Sequence, residues 1–207
     1  MKFERVWRYR EYVRYLLADK GRPAEDLQIL ARRLGRLLGR RLDCRFRWNP
    51  SPVLGREHVI MTGSYDYHDE GDVMSVWINS HPNSRIYHWG QGSNISWLRF
   101  VEDLSECVMH EKVHYLQHRS RGGYEPWVIE HYDDPDMNYY ADPDEIDAYA
   151  WSWASECMDR GGIRFLRDPG EESVWWNYHD CFGFNHPIRR RLIKKTYARL
   201  MRAQERH

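Results

Sequence analysis

The sequence lacks long apolar runs and lacks a surplus of charge of either sign. Its 207 residues include 31 basic and 31 acidic side chains, so the formal net charge is +0 at pH 7 with histidine neutral. A chain balanced in this way has no general attraction for polyanions, and nucleic acid is not an expected partner. No run of 18 apolar residues occurs, so no membrane-spanning helix and no membrane partner are expected.

Cysteine is also scarce and is widely spaced. The four thiols belong to Cys44, Cys107, Cys157 and Cys181, with no Cys-x-x-Cys pair. This spacing excludes a zinc ribbon and is a poor disulfide framework for a chain of this length. The charged stretch Met1–Arg8 has no apolar segment of the kind that a secretory signal contains. We therefore expect a cytoplasmic protein with reduced thiols.

One short pattern contains residues suited to binding a metal. It reads His110-Glu111-Lys112-Val113-His114, which is His-Glu-x-x-His. Positions i and i+4 of a helix lie on one face, so the two imidazoles would point at one place, as zinc ligands on a helix do. Glu111 would lie beside the metal and act as a general base on bound water. The alternative is a helix with two surface histidines that bind nothing.

The surroundings of this pattern favour the metal-binding interpretation. The run Trp97–His118 contains no proline or glycine, and its apolar residues recur at helical intervals. A buried amphipathic helix can hold ligands in fixed positions and keep water partly away from them. The sequence therefore predicts a zinc-dependent hydrolase, and specifically a metallopeptidase, with Zn²⁺ as its cofactor.

The remaining periodic segments predict an α+β fold in a single domain over residues 1–207. Helices are predicted over residues 4–19, 24–42, 97–118, 142–160 and 186–202, and short strands around residues 45–48, 59–62 and 73–78. The predicted domain consists of an N-terminal helical pair (1–43), a small antiparallel sheet with a long loop (44–96), and a helical part with the metal site (97–207).

A catalytic zinc ion usually takes three protein ligands and a water, so a third ligand is needed. The candidates are His118, His131, Glu145 and Asp147. His118 follows His114 by one turn of the same helix, and three ligands in one line cannot surround an ion tetrahedrally. His131, in a predicted loop, and Glu145, at the start of the next helix, both stay open. Glu145 also occupies the N3 position of a helix capped by Asp142, where a capping-box role is the alternative.

The two ligand segments resemble those of gluzincin metallopeptidases. That family pairs the His-Glu-x-x-His helix with a second helix that supplies a glutamate, often as Glu-x-x-Ala, and this chain has Glu145-Ile146-Asp147-Ala148. With Tyr115-Leu116-Gln117 and Tyr139-Tyr140, residues 97–200 look like small metallopeptidase-like proteins of tailed phages. The longer metzincin pattern is disfavoured, because Gln117 and Ser120 stand where it needs a glycine and a third histidine.

The resemblance implies a zincin-like fold, in which a small sheet packs with the motif helix and a second ligand helix. It further implies zinc at His110, His114 and Glu145, with Glu111 as the catalytic base. The implied substrate is a peptide or protein, including a peptidoglycan stem peptide, and the implied location is the cytoplasm of the host cell if a phage encodes the chain.

Three further expectations concern the surroundings of the reacting groups. Tyr139, Tyr140 or a histidine of the 80–96 loop would stabilise the oxyanion, and residues 73–79 would form the edge strand that binds substrate. Asp147 would orient a ligand histidine. The alternative function is a non-catalytic binding protein with structural zinc or none, which would use its basic helices 24–42 and 186–202 to contact nucleic acid.

Overall fold

The structure is a computed structural model that describes residues 3–18, 25–66, 73–87, 95–122, 132–169 and 173–204. The fold is α+β, as the sequence predicts. Contacts along the chain separate it into two compact units, one formed by residues 8–115 and one by residues 1–7 with 116–207. Within the described residues, no helix has both the length and the apolarity needed to cross a membrane.

The described residues form helices and mostly short strands. In chain order they are α1 (Phe3–Ala18), β1 (Glu25–Asp26), α2 (Leu27–Leu34), a π-helical segment (Gly35–Gly39), α3 (Arg40–Leu42), β2 (Cys44–Pro50), β3 (Val59–Asp66), β4 (Val73–Ser80), β5 (Arg85–Tyr87), β6 (Ile95–Ser96), α4 (Trp97–Ser120), α5 (Pro135–Ala141), α6 (Pro143–Arg160), α7 (Ile163–Arg167), α8 (Val174–Phe182) and α9 (Pro187–Gln204).

The main sheet lies in the unit of residues 8–115 and has the strand order β2-β4-β3. Strands β3 and β4 are antiparallel, as the sequence predicts, but β2 runs parallel to β4. The prediction of a purely antiparallel sheet is therefore wrong. Alternation of apolar and polar residues shows which face of a strand is buried, and it says nothing about the direction of the neighbouring strand.

A second, smaller sheet corrects the prediction of a long loop over residues 80–96. Strand β5 pairs antiparallel with β1 and parallel with β6. Residues 88–94, which include His88, lie outside the described residues. Of the histidines predicted in this loop, His81 accepts a hydrogen bond through Nδ1 from the backbone N–H of Asn83, at 3.0 Å.

Helix α2 and the π-helical segment pack on one face of the main sheet. Their buried leucines, spaced three or four residues apart, join the apolar core with Phe46, Val76 and Ile78. Asp26 caps α2, because its carboxylate accepts from the N–H groups of Gln28 and Ile29. The helix therefore begins later than predicted, and Pro23 lies outside the described residues. The predicted single helix over residues 24–42 is interrupted by the π-helical segment.

The second unit is built mainly from helices α6 and α9. Its core contains Trp153 and Cys157 of α6 together with Tyr178 of α8 and Leu192 of α9. Helix α6 has the ends that the sequence predicts. Asp142 is its N-cap and Pro143 its first residue, and Gly161 ends it with a φ of 117°, a conformation that glycine adopts without strain. Residues 163–185 contain α7 and α8.

Candidate metal centre

Helix α4 contains the His-Glu-x-x-His pattern and is continuous from Trp97 to Ser120. The absence of proline and glycine lets it extend for 24 residues. Its buried apolar side chains, such as Leu104, Val108 and Val113, hold it in place. The pattern therefore stands on a buried amphipathic helix, as the sequence predicts.

The two motif histidines face each other on this helix. Nε2 of His110 lies 3.1 Å from Nε2 of His114, and the ring centroids are 4.9 Å apart. Two imidazole nitrogens on a tetrahedral zinc ion, each at about 2.0–2.1 Å from the metal, are about 3.3 Å apart. The observed spacing is close to that of a chelating pair. In the absence of a metal, the same spacing allows a hydrogen bond between two neutral imidazoles.

Glu111 is buried and lies against strand β3 at Gly63. A Cβ atom placed on Gly63 would stand 2.6 Å from Cδ of Glu111, closer than two carbon atoms can approach. The missing side chain of Gly63 therefore makes room for the carboxylate. Sequence reasoning missed Gly63, although an isolated glycine inside a strand often marks a close approach of another group.

Strand β3 is the edge of the main sheet next to this carboxylate. It pairs with β4 on one side, whereas β4 itself pairs with both β2 and β3. The prediction that residues 73–79 form the edge strand is therefore wrong, because the parallel pairing of β2 makes β4 the central strand. Tyr65 of β3 packs edge-on against Tyr115 of α4, with centroids 5.8 Å apart, so β3 also contacts the motif helix through this pair.

Lys112 follows Glu111 directly within the motif. It is buried, and its ammonium group lies over the rings of Tyr115 and Tyr9, at 4.7 Å and 5.6 Å from their centroids. Burial lowers the pKa of Lys112, and the nearby Asp43 partly opposes this effect. The aromatic rings give the ammonium group favourable electrostatic contacts in place of lost water.

In the unit that contains residues 116–207, Glu145 lies in the first turn of α6 and does not cap the helix. The Asp142 carboxylate accepts from the N–H of Asp144 at 2.6 Å. The N–H of Asp142, which a capping-box glutamate would bind, instead donates to the carbonyls of Asn138 and Tyr139 at 3.1 and 3.2 Å. The capping-box interpretation of Glu145 is therefore wrong, and capping does not use its carboxylate.

Tyrosine hydroxyls gather beside Glu145. Tyr149 lies one helical turn further along α6, and its hydroxyl is 3.4 Å from that of Tyr139. Partial burial, and then the negative charge of Glu145 and hydrogen bonding to it, raise the pKa of Tyr139, so its hydroxyl stays protonated. Tyr140 and Tyr178 pack on Tyr149, with centroids 5.5 and 5.6 Å away.

Of these tyrosines, Tyr139 and Tyr140 were candidates from the sequence, whereas Tyr149 and Tyr178 were not. The signal for Tyr149 was its spacing of four residues from Glu145, which places both on one face of α6. No comparable sequence signal points to Tyr178, because it enters the cluster from a different helix, α8.

The residue before Glu145 anchors the first turn of α6. Gln117 donates from Nε2 to the carbonyl of Asp144 at 3.0 Å, and Arg121 forms an ion pair with the Asp144 carboxylate at 2.7 Å. Gln117 belongs to the last turn of α4, and Arg121 follows that helix directly. Through its contact, Gln117 helps to position the first turn of α6, a role that its place in the sequence did not predict.

Two other candidates from the sequence have different outcomes. The Asp147 carboxylate forms ion pairs with Lys195 and Arg199 of α9, so its predicted role of orienting a histidine is wrong. Burial acts to raise the pKa of Asp147, but the two cations outweigh it and the net shift is downward. His131, the alternative third ligand, lies outside the described residues.

His110, His114 and Glu145 are the group of side chains suited to a metal among the described residues. One ligand atom from each lies within 4.8 Å of the other two. Two imidazole nitrogens and a carboxylate oxygen form a donor set that catalytic zinc sites use, with the fourth position left to water. Groups of similar composition also occur in proteins that bind no metal, so the donor set alone does not assign a function.

Comparisons with known proteins add no assignment. No protein-family model, no curated protein and no solved structure matches this chain. The functional argument therefore depends on the side chains themselves.

Proposed function

We propose that this protein is a zinc-dependent hydrolase with a zincin-like arrangement, and specifically a metallopeptidase. The observation that carries the proposal is the pair of Nε2 atoms of His110 and His114, 3.1 Å apart on one face of a buried helix, with the buried Glu111 beside them in sequence. Glu145 is the proposed third ligand, because capping does not use its carboxylate and its ligand atom is grouped with those of the histidines.

The proposed chemistry assigns each group one task. Bound zinc would lower the pKa of a coordinated water to about 7 and polarise a substrate carbonyl. Glu111 would accept the proton of the attacking water at its carboxylate and then donate it to the leaving amine. Burial of Glu111 suits this task. Few water molecules reach a buried carboxylate, so its proton would be exchanged with the attacking water and the leaving amine.

A hydroxyl donor is also needed for the oxyanion, and Tyr139 is the proposed residue. Its pKa is raised, so the hydroxyl keeps its proton and can donate it in a hydrogen bond. Among the residues named from sequence, Tyr139 is favoured over Tyr140 because its hydroxyl interacts with Glu145, the proposed ligand. The role is one of hydrogen bonding alone, with no proton transfer from the tyrosine.

A peptide is the proposed substrate because β3 is, among the described residues, an edge strand of the main sheet and lies beside Glu111. An extended peptide that adds to a sheet edge gains backbone hydrogen bonds, which are indifferent to side-chain identity. Gly63 of β3 contacts the proposed base, so a peptide lying along this edge would pass the reacting groups. A peptide or protein substrate, including a peptidoglycan stem peptide, stays the proposed class, and zinc the proposed cofactor.

The test combines metal analysis with a peptide-cleavage screen. Purified wild type should contain about one zinc per chain, and Glu145→Ala and His114→Ala should lose it. Asp142→Ala removes a carboxylate from the same turn as Glu145 and should keep the metal. Glu111→Gln should keep the metal and abolish cleavage of any peptide that the wild type cleaves.

Three results would oppose the proposal. Wild type that binds no zinc after reconstitution would leave α4 as a packing helix. Zinc loss in His131→Ala with retention in Glu145→Ala would move the third ligand to residue 131. Zinc retention without hydrolysis of any peptide in a broad library would favour the non-catalytic scaffold.

A further inference from the structure

The main sheet has a second face that the proposed metal centre does not use. Alternate residues of a strand point to opposite sides of a sheet, and the strand register fixes which residues share a side. The side with Phe46, Val76 and Gly63 packs on the core and on Glu111. The opposite side, here named the open face, carries Arg45, Arg47 and Asn49 of β2, Ser75, Trp77 and Asn79 of β4, and Ile60, Thr62, Ser64 and Asp66 of β3.

The side chains of the open face are exposed or half-buried, apart from the buried Ser75, and an aromatic ring lies at its centre. Arg47, Trp77 and Thr62 form one row across the three strands. Arg47 and Thr62 are exposed and Trp77 is half-buried, while Ile60, also on this face, is 48% exposed. The side chain of Trp77 is therefore partly accessible to solvent. An accessible ring on a flat sheet is a platform on which another planar group can stack.

Positive charge lies along one side of this ring. Arg45 and Arg47 are both exposed, and neither forms an ion pair or a side-chain hydrogen bond within the described part of the chain. The carboxylate on this face, that of Asp66, belongs to the other outer strand, one row beyond the row of Arg45, Ser75 and Ser64, and it accepts a hydrogen bond from Ser64. Among the described residues the two guanidinium groups have no ion-pair partner, and their charge complements an anionic partner.

A small amide network completes the surface. Asn49 donates to Oδ1 of Asn79 at 2.8 Å, and Asn79 donates to the hydroxyl of Thr62 at 3.0 Å. These bonds hold the three side chains in place across the sheet. The Thr62 hydroxyl proton and Oδ1 of Asn49 then remain as a donor and an acceptor for polar edges of a ligand.

We propose that the open face binds single-stranded nucleic acid, with one base stacked on Trp77 and the backbone along Arg45 and Arg47. These arginines are two residues apart on a strand, about 6.6 Å, a separation comparable to that of successive phosphates in an extended strand. A flat sheet with a central aromatic ring receives unstacked bases, whereas a duplex keeps its bases stacked and out of reach. The zero net charge limits non-specific attraction, so the affinity resides in this local patch.

The open face is independent of the proposed metal centre. Trp77 and Gly63 belong to opposite sides of the same sheet, since Gly63 is in register with Val76. Glu111→Gln should therefore bind nucleic acid as wild type does, and failure of one proposal leaves the other standing. The basic segment 24–42, a candidate nucleic-acid surface from the sequence, supplies the matched control.

The experiment measures anisotropy of fluorescent DNA and RNA single strands of about 12 nucleotides with the full chain. Trp77→Thr, which keeps a strand-forming residue, should weaken binding on the order of tenfold, and Trp77→Phe should retain most of it. Arg45→Gln with Arg47→Gln should reduce the slope of the logarithm of the binding constant against the logarithm of the salt concentration by about 1.4, since each phosphate contact contributes about 0.7. Arg32→Gln in α2 with Arg36→Gln in the π-helical segment changes the charge equally on exposed positions and should leave binding unchanged.

Several outcomes would overturn the proposal. They are no binding at low salt, equal affinity for duplex DNA, equal competition by a polyglutamate peptide, or equal weakening by the control in segment 24–42. Thermal unfolding of every variant must match wild type within about 2 °C, and Trp77→Phe replaces Trp77→Thr as the deciding variant if the latter fails this check. A normal affinity for a correctly folded Trp77→Thr would also exclude stacking on Trp77.

Discussion

Gly63 has no side chain, and the Glu111 carboxylate occupies the space that this leaves. We predict that Gly63→Ala displaces the Glu111 carboxylate, because the added methyl group would overlap it. If Glu111 is the general base, peptide cleavage should fall by at least about tenfold, within the range that general-base catalysis contributes. The zinc content should stay the same, since the metal ligands are other residues. Steady-state cleavage and elemental analysis of the same sample test both parts.

The neighbouring Ser64 provides the control for this change. It points to the opposite side of the sheet, so Ser64→Ala should leave cleavage unchanged. Equal loss in both variants would indicate general damage to β3. Loss of zinc in Gly63→Ala would show that the glycine supports the ligands themselves.

Two buried thiols make the stability of the fold sensitive to alkaline pH. Burial raises the pKa of Cys44 and of Cys157 to about 12, from a reference of 9.0. A raised pKa in the folded state means that the unfolded chain loses its thiol proton first. The contribution is therefore complete below pH 9 and is lost as the pH rises toward 12, at about 1.4 kcal/mol per pH unit for each thiol.

Urea unfolding at pH 8, 9 and 10 tests this expectation. The difference in unfolding free energy between wild type and Cys157→Ala should shrink by about 1 kcal/mol between pH 9 and pH 10, because the unfolded thiol is already half ionised at pH 9. Subtracting the variant removes the contribution of tyrosines and lysines that also titrate in this range. Parallel pH profiles for the two proteins would show that Cys157 ionises equally in the folded and unfolded states.

At the scale of elements, the first turn of α6 contains both a capping carboxylate, Asp142, and a proposed metal ligand, Glu145, and their roles can be tested separately. Asp142→Ala should destabilise the metal-free protein by about 1 kcal/mol, because an N–H group of the first turn loses its acceptor. Glu145→Ala should leave the metal-free stability nearly unchanged and remove zinc binding. Denaturant unfolding with a chelator present, together with zinc titration, measures both. A Glu145→Ala variant as destabilised as Asp142→Ala would make Glu145 structural.

The ends of α6 were predictable because short-range chemistry sets them. Asp142, Pro143 and Gly161 each act through backbone groups within a few residues, so their effect is visible in sequence. The direction of β2 was not predictable in this way. Its pairing with β4 joins residues 30 positions apart, such as Arg47 and Trp77, and depends on how the connection over residues 51–58 crosses the sheet. The same pairing made β4 central and moved the sheet edge to β3.

At the scale of the whole molecule, zinc should stabilise the protein by mass action. A ligand that binds only the folded state contributes about 2.7 kcal/mol when present at 100 times its Kd. Zinc should therefore raise the melting temperature of metal-free wild type and of Glu111→Gln equally, and that of His114→Ala not at all. Mg²⁺ serves as the control, because it prefers oxygen ligands over imidazole. An equal rise with His114→Ala would place the bound zinc elsewhere.

The sequence by itself determined the α+β composition, the continuous motif helix, the ends of α6 and the choice of candidate ligands. All of these depend on helical and strand periodicity or on residues close together in the chain. Only the tertiary structure decided that Gly63 makes room for Glu111, that Asp147 pairs with α9, and that Tyr178 of α8 packs on Tyr140 and Tyr149. Each of these is a contact between residues far apart in sequence, and such contacts arise from how the elements pack, which no local pattern encodes.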